Sequence, residues 1–211
     1  MGEVAHFIPG FIAAYLILLV GASSPGPSVA LLIGIATTEG RTPALLASLG
    51  VAFGSATINV LTIFGVGLVL SQAAWAMNAL RIIGAAYLLY LAYGAIKKSI
   101  HPQALQTAET TKQSWTKHFT TAYLLQISNP KAIAFWLSIS AVGAVEGANL
   151  GVIALFIAGG FLISFSCHAA WAAALSIAKV RAAYSRGSRW IEAALGGFFV
   201  FAAFKLATSE S

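Results

Sequence analysis

Six long apolar runs, parted by short polar stretches, set the pattern of this chain. They extend from about Ile8 to Thr37, Ala44 to Leu70, Leu80 to Ile96, Phe119 to Val145, Leu150 to Ala178 and Trp190 to Ala207. Each approaches or exceeds the roughly 20 residues that carry a helix across a bilayer. None alternates apolar with polar residues, as the ten-residue strands of a membrane barrel would. The pattern predicts an all-α membrane protein of six transmembrane helices. Thr42-Pro43 reads as the opening of the second helix, with a capping threonine and a proline at the first helical position.

Two of the runs are interrupted. The first contains Ser23-Ser24-Pro25-Gly26-Pro27-Ser28, and the fourth contains Ser128-Asn129-Pro130-Lys131. Proline removes a backbone donor and clashes with the preceding turn, so both places predict broken helices. Lipid cannot satisfy the freed N–H and C=O groups. Irregular backbone at membrane depth is tolerated only against protein or a wet cavity.

Composition agrees with the pattern. Of 211 residues, 59% are hydrophobic and only 9% charged, with a mean hydropathy of +0.85. Soluble domains carry about 25% charged residues. No length is left for a soluble domain beside the six runs, so residues 1–211 read as one transmembrane domain. The excess of positive charge, +6, reads as loop bias rather than nucleic-acid binding. Lys97, Lys98, Lys112 and Lys117 lie between the third and fourth runs. Lys179, Arg181, Arg186 and Arg189 lie between the fifth and sixth. Those connections are expected in the cytoplasm, with both termini outside, and Arg81 is the one discordant charge. The single cysteine, Cys167, excludes an internal disulfide and a CxxC redox pair. Met-Gly-Glu-Val offers no basic residue before the first run, so a cleaved signal peptide is not expected.

The chain also reads as two halves: residues 1–96, a polar linker over 97–118, and residues 119–211. An odd number of spans per half gives the halves opposite orientation. Ala14-Tyr15-Leu16 precedes the first interruption, and Ala122-Tyr123-Leu124 precedes the second. Inverted repeats, each with a broken helix, point to a transporter whose site lies near the bilayer midplane.

Ser24-Pro25-Gly26-Pro27, Gly84-Ala85-Ala86-Tyr87-Leu88 with Gly94, and Asn129-Pro130-Lys131-Ala132 with Phe135-Trp136 together resemble the LysE/RhtB family of amino-acid exporters, which act on lysine, threonine and homoserine lactones. The resemblance covers essentially the whole chain. It implies a secondary exporter in the bacterial inner membrane, driven by the proton-motive force and without a cofactor. Family members often carry an acid just after Pro-Gly-Pro. Here that position is Ser28, and the chain has no aspartate, so any coupling group is expected elsewhere.

The residues themselves suit an amino acid. A helix restarting at Ser28 exposes N–H groups with partial positive charge, which bind an anion without a cationic side chain. Carbonyls near Gly21 and Ala22 are expected to receive the ammonium. The predicted substrate site is therefore Ser23, Ser24, Pro25, Gly26, Pro27 and Ser28 with Ser128, Asn129, Pro130 and Lys131. Lys131 lies about 18 Å inside its helix, where a cation is costly. It either neutralises freed carbonyls or snorkels, or it serves substrate and proton exchange. His168, mid-helix, is the second candidate proton carrier beside Lys131, although a histidine bonded to a neighbouring helix explains it as well. Asn59 can bridge helices or line the path. Tyr87, Tyr90 and Tyr93 read as a packing or interface stripe, and Glu192 as an interfacial partner of Arg189. Gly50-x-x-x-Gly54 allows close helix approach, and glycine faces of this kind can equally form a homodimer contact.

Other functions fit less well. Membrane thiol–disulfide chemistry needs two cysteines. A metal-ion exporter needs clustered ligands, and His168 with Cys167 makes a poor set. A passive channel does not require two opposed interruptions. With no acid expected in the membrane core, neutral substrates such as threonine, homoserine derivatives or branched-chain amino acids are favoured.

Overall fold

The computed structural model describes residues 2–24, 26–70, 75–101, 113–142 and 144–208, with every side chain in these ranges except those of residues 2, 3, 66–70, 76, 77, 80 and 81. Pro25 and residues 102–112, half of the expected linker, lie outside the described residues. Among the described residues the chain is all helix: α1 (Gly2–Ser23), α2 (Pro27–Thr38), α3 (Arg41–Leu70), α4 (Trp75–Ile100), α5 (Trp115–Ile127), α6 (Pro130–Ser140), α7 (Leu150–Leu175) and α8 (Ala178–Thr208). Four segments among them are long and apolar enough to cross a membrane: Val4–Ser23, Arg41–Gly65, Leu150–Leu175 and Ala178–Thr208.

Local chemistry explains most of the boundaries. α2 and α6 begin at Pro27 and Pro130, the first helical position, where a missing N–H costs nothing. Gly26, just before Pro27, is extended at φ −156° and ψ −169°. α3 begins one residue before Thr42, so Thr42 sits within the first turn rather than capping it. The turn from α2 is made by Gly40, whose φ of +96° favours glycine. Lys97 and Lys98 fall in the last turn of α4, where cations complement the helix dipole.

The largest departure from the hydropathy pattern is α8. It starts at Ala178, twelve residues before the sixth apolar run. Alanine, lysine and arginine are strong helix formers, so the basic stretch extends the helix instead of forming a loop. Glu192 consequently lies mid-helix and is only 6% exposed. It makes no ion pair with Arg189, whose guanidinium lies 5.9 Å from the Trp190 ring centroid.

Packing brings α1 against α6 and α7, and α5 against α2 and α3, while α3 meets α7 and α4 meets α8. The α3–α5 contact is nearly backbone to backbone. A Cβ on Gly50 would collide with Phe119 O, and one on Gly54 would stand 2.8 Å from Gln126 Cβ. The Gly50/Gly54 pair therefore works as its spacing suggests. The main apolar cluster gathers Phe11, Leu88, Phe135, Trp136, Phe156 and Phe199 from five helices.

Candidate functional site

The two interruptions meet. A cavity lies between them, lined by Ser24, Gly26, Ser28, Asn129 and Lys131 from the predicted set. Its described lining includes one cation, Lys131, and no acid. The side chain of Lys131 crosses Gly26, and its Nζ donates to the carbonyl of Ser24 at 2.7 Å. The ring centroid of Phe135 is 6.0 Å from the same Nζ. The lysine thus neutralises a carbonyl freed at the other interruption, rather than one freed beside Pro130.

The helix starts are not equivalent. α6 is capped, since Asn129 Oδ1 accepts from Lys131 N at 3.0 Å. α2 has no side-chain cap, so its early N–H groups remain orphans of the kind that hold anions. Ser28 and Val29 of that end both line the cavity. The two helix starts therefore differ, and only that of α2 is left without a side-chain cap.

Carbonyls at the end of α1 are already engaged. Ala22 O accepts from Trp171 Nε1 at 3.2 Å, and Gly21 O accepts from Ser24 N at 3.3 Å. The expected ammonium site near Gly21 and Ala22 is to this extent occupied by the protein. A different acceptor lies nearby. His168 Nδ1 donates to Ser164 O at 2.7 Å, which leaves Nε2 of the neutral ring as an acceptor. His168 is 6% exposed and lines the cavity. It bonds within its own helix, not to a neighbouring one.

Four predicted residues stand apart from the lining. Ser128 is exposed, and its Oγ donates back to Leu124 O at 2.8 Å. Pro27 and Pro130 open their helices and are exposed. Ser23 lies near Cys167, outside the lining. Pro25 lies outside the described residues.

Three polar residues line the cavity without having been singled out, Ser55, Gln126 and Ser164, and Trp136, named before only within a motif, joins them. Gln126 is buried, and its Oε1 accepts from Ser28 Oγ at 2.6 Å. Trp136 Nε1 donates to Ser55 Oγ at 2.9 Å. A glutamine inside an apolar run was the available signal for Gln126. Ser164, one turn before His168, shares its face by helical spacing alone.

Outside the cavity, Glu39 Oε2 lies 3.0 Å from His118 Nε2 and accepts from Gln113 N at 3.1 Å. Both side chains are buried, and they tie the end of α2 to the start of α5. Among the described residues no three His, Cys, Asp or Glu side chains are grouped to hold a metal ion. Hydroxyls, amides, one imidazole and one amine suit a small zwitterion better than a transition metal.

Comparison with known proteins supplies the remaining constraint. A family model described as LysE type translocator matches residues 19–210. The threonine efflux protein of Escherichia coli (strain K12) is 25% identical over 90% of this chain and 93% of its own length. The leucine efflux protein of Salmonella choleraesuis is 29% identical over 64% of this chain and 61% of its own. An uncharacterized membrane protein, YahN, of E. coli (strain K12) is 28% identical over 83% of this chain and 80% of its own. No solved structure matches the chain.

Proposed function

This chain belongs to the family of LysE type translocators, and from that premise we propose that it exports a neutral amino acid or a close derivative, with the cavity between the two interruptions as its substrate site. The observation that carries the reading is the Lys131–Ser24 hydrogen bond, which sets a cation at the uncapped start of α2 in a cavity whose described lining has no acid. The substrate carboxylate takes the α2 N–H groups and displaces Ser24 O from Lys131 Nζ. The ammonium takes the released carbonyl and His168 Nε2. The described lining itself offers no carboxylate to a lysine or arginine side chain. Relatives named for threonine and leucine efflux fit that preference.

We read residues 1–211 as one transmembrane domain of six spans, with repeats over 1–96 and 119–211 joined by the linker. Three observations support this. α1 packs on α6 and α7 as α5 packs on α2 and α3. Of the two Ala-Tyr-Leu tyrosines, Tyr15 OH bonds Phe156 O on α7 at 2.9 Å, and Tyr123 OH lies 3.2 Å from Thr57 Oγ1 on α3. Finally, α1 with α2 and α5 with α6 divide two spans near their middle.

We read alternating access into this arrangement. α1 is fastened to α7 through Tyr15 and Phe156, whose rings stack at 5.2 Å. α2 is fastened to α5 through Glu39–His118. Releasing one contact while keeping the other opens the cavity to one face at a time. Proton coupling, with Lys131 or His168 as carrier, and a homodimeric assembly complete the proposal. In this reading the basic residues at the end of α4 and the start of α8 face the cytoplasm of a bacterium, with both termini on the outer side of its inner membrane.

The test is an efflux assay in cells overexpressing the protein and fed dipeptides of each amino acid. At least one neutral amino acid is expected to leave faster than from vector controls. If none does, the export reading fails.

A further inference from the structure

Behind the cavity wall lies a polar group that the fold leaves unsatisfied. Asn59, on α3, is 1% exposed, and neither its Nδ2 nor its Oδ1 has a hydrogen-bond partner. Buried polar groups are nearly always paired, because an amide taken from water forfeits its bonds there. An asparagine that merely bridged two helices would show the bridging bond. Asn59 shows none.

Its neighbours say where it sits. Asn59 Nδ2 lies 3.3 Å from the point a Cβ on Gly160 of α7 would occupy, and the edge of the Trp136 ring lies 2.9 Å from the same point. Trp136 lines the cavity, and Ser55, which holds its Nε1, is one turn before Asn59 on α3. On α7, Gly160, Ser164 and His168 follow at four-residue intervals and share a face. Ser164 and His168 line the cavity, whereas Gly160 meets Trp136. A seam of polar and small residues between α3 and α7 therefore leads from the cavity, past one indole, to an amide with a donor and an acceptor to spare.

The seam also has a direction. Asn59 lies about 27 Å along α3 from Arg41, and Gly160 about 15 Å along α7 from Leu150. It runs away from the Arg41 end, the end that carries Glu39 and His118, and toward the start of α7.

We infer that Asn59 is a second substrate station on the translocation path, and that Trp136 is the gate between it and the cavity. The inference rests on the cavity being the amino-acid site. When the indole swings off Ser55, the zwitterion advances along the seam. Oδ1 of Asn59 then accepts from its ammonium, and Nδ2 donates to its carboxylate. Gly160 lets Trp136 and Asn59 sit close against α7, since any side chain there would press on both.

The single cysteine makes a test direct. In a Cys167→Ala background, Asn59→Cys and Ser24→Cys are treated with a membrane-impermeant methanethiosulfonate, with Leu32→Cys as a control buried in an apolar cluster. Asn59→Cys is expected to react at least tenfold faster than Leu32→Cys, and threonine or leucine should slow it severalfold. Reaction no faster than the control overturns the path. Protection at Ser24→Cys without protection at Asn59→Cys overturns the station and leaves the cavity reading intact. Protection at neither site sinks the cavity reading instead. As a second variant, Asn59→Leu should reach the membrane and melt no lower than the parent, yet export less than a tenth as fast. Unchanged export overturns the inference, as does a loss of export that only tracks a loss of folded protein.

Discussion

Lys131 and Ser24, 107 residues apart in sequence, are joined by a 2.7 Å hydrogen bond from Nζ to the main-chain carbonyl. That bond links the two interrupted regions across the cavity and holds a cation beside an uncapped helix start. Its consequences are open to direct measurement.

Replacing Lys131 with methionine keeps most of the stem volume and removes the charge. A hydrogen bond to a charged group contributes about 1.5–3 kcal/mol, so export should fall roughly 10- to 100-fold. Membrane levels, followed by immunoblot, should stay near those of the parent. Undiminished export would remove Lys131 from the site.

Ser28→Ala deprives Gln126 Oε1 of the hydroxyl that donates to it at 2.6 Å. Leaving a buried acceptor unpaired costs about 1–3 kcal/mol. The detergent-solubilised variant is expected to melt several degrees lower. Ser28→Ala combined with Gln126→Leu, which removes both partners, should recover part of that loss. A double variant no better than the single one argues that the contact is incidental.

Two glycines should respond oppositely to alanine. A Cβ at Gly50 meets the backbone of Phe119, whereas Gly94 has nothing within 4 Å. Gly50→Ala should sharply reduce folded protein in the membrane, because one helix must move off the other. Gly94→Ala should leave expression and export unchanged. Fluorescence-detected size exclusion distinguishes the two outcomes.

Glu39 and His118 form a buried pair whose members need each other. Leaving one partner of a buried hydrogen bond unpaired costs about 1–3 kcal/mol. Glu39→Gln and His118→Leu should each destabilise the α2–α5 contact, and the double variant should lose clearly less than the two losses added. Melting temperatures in a double-mutant cycle measure the coupling. Strict additivity would show that the two ends are not fastened through this pair.

What the sequence determined by itself follows from chemistry within a helical turn or a hydropathy window. Helical segments rather than strands and the Gly50/Gly54 approach both depend on neighbours in the chain. Even the early start of α8 was legible in principle, since Ala178 to Arg189 is rich in helix formers although not apolar. Its consequence, a buried Glu192, was hidden by reading hydropathy instead of propensity.

Only the tertiary structure decided which groups meet. Ser28 finds Gln126 at a separation of 98 residues, Glu39 finds His118 at 79, and Trp136 finds Ser55 at 81. Ser128 looked equivalent to Ser24 in the sequence, yet it bonds back to Leu124 and stays outside the cavity. Asn59 showed itself as a polar residue in an apolar helix, but its lack of partners depends on Trp136 and Gly160 from other helices. Helix formation is local, so it can be read along the chain. Side-chain pairing depends on how rotated, tilted helices face one another, and a linear pattern records that only faintly.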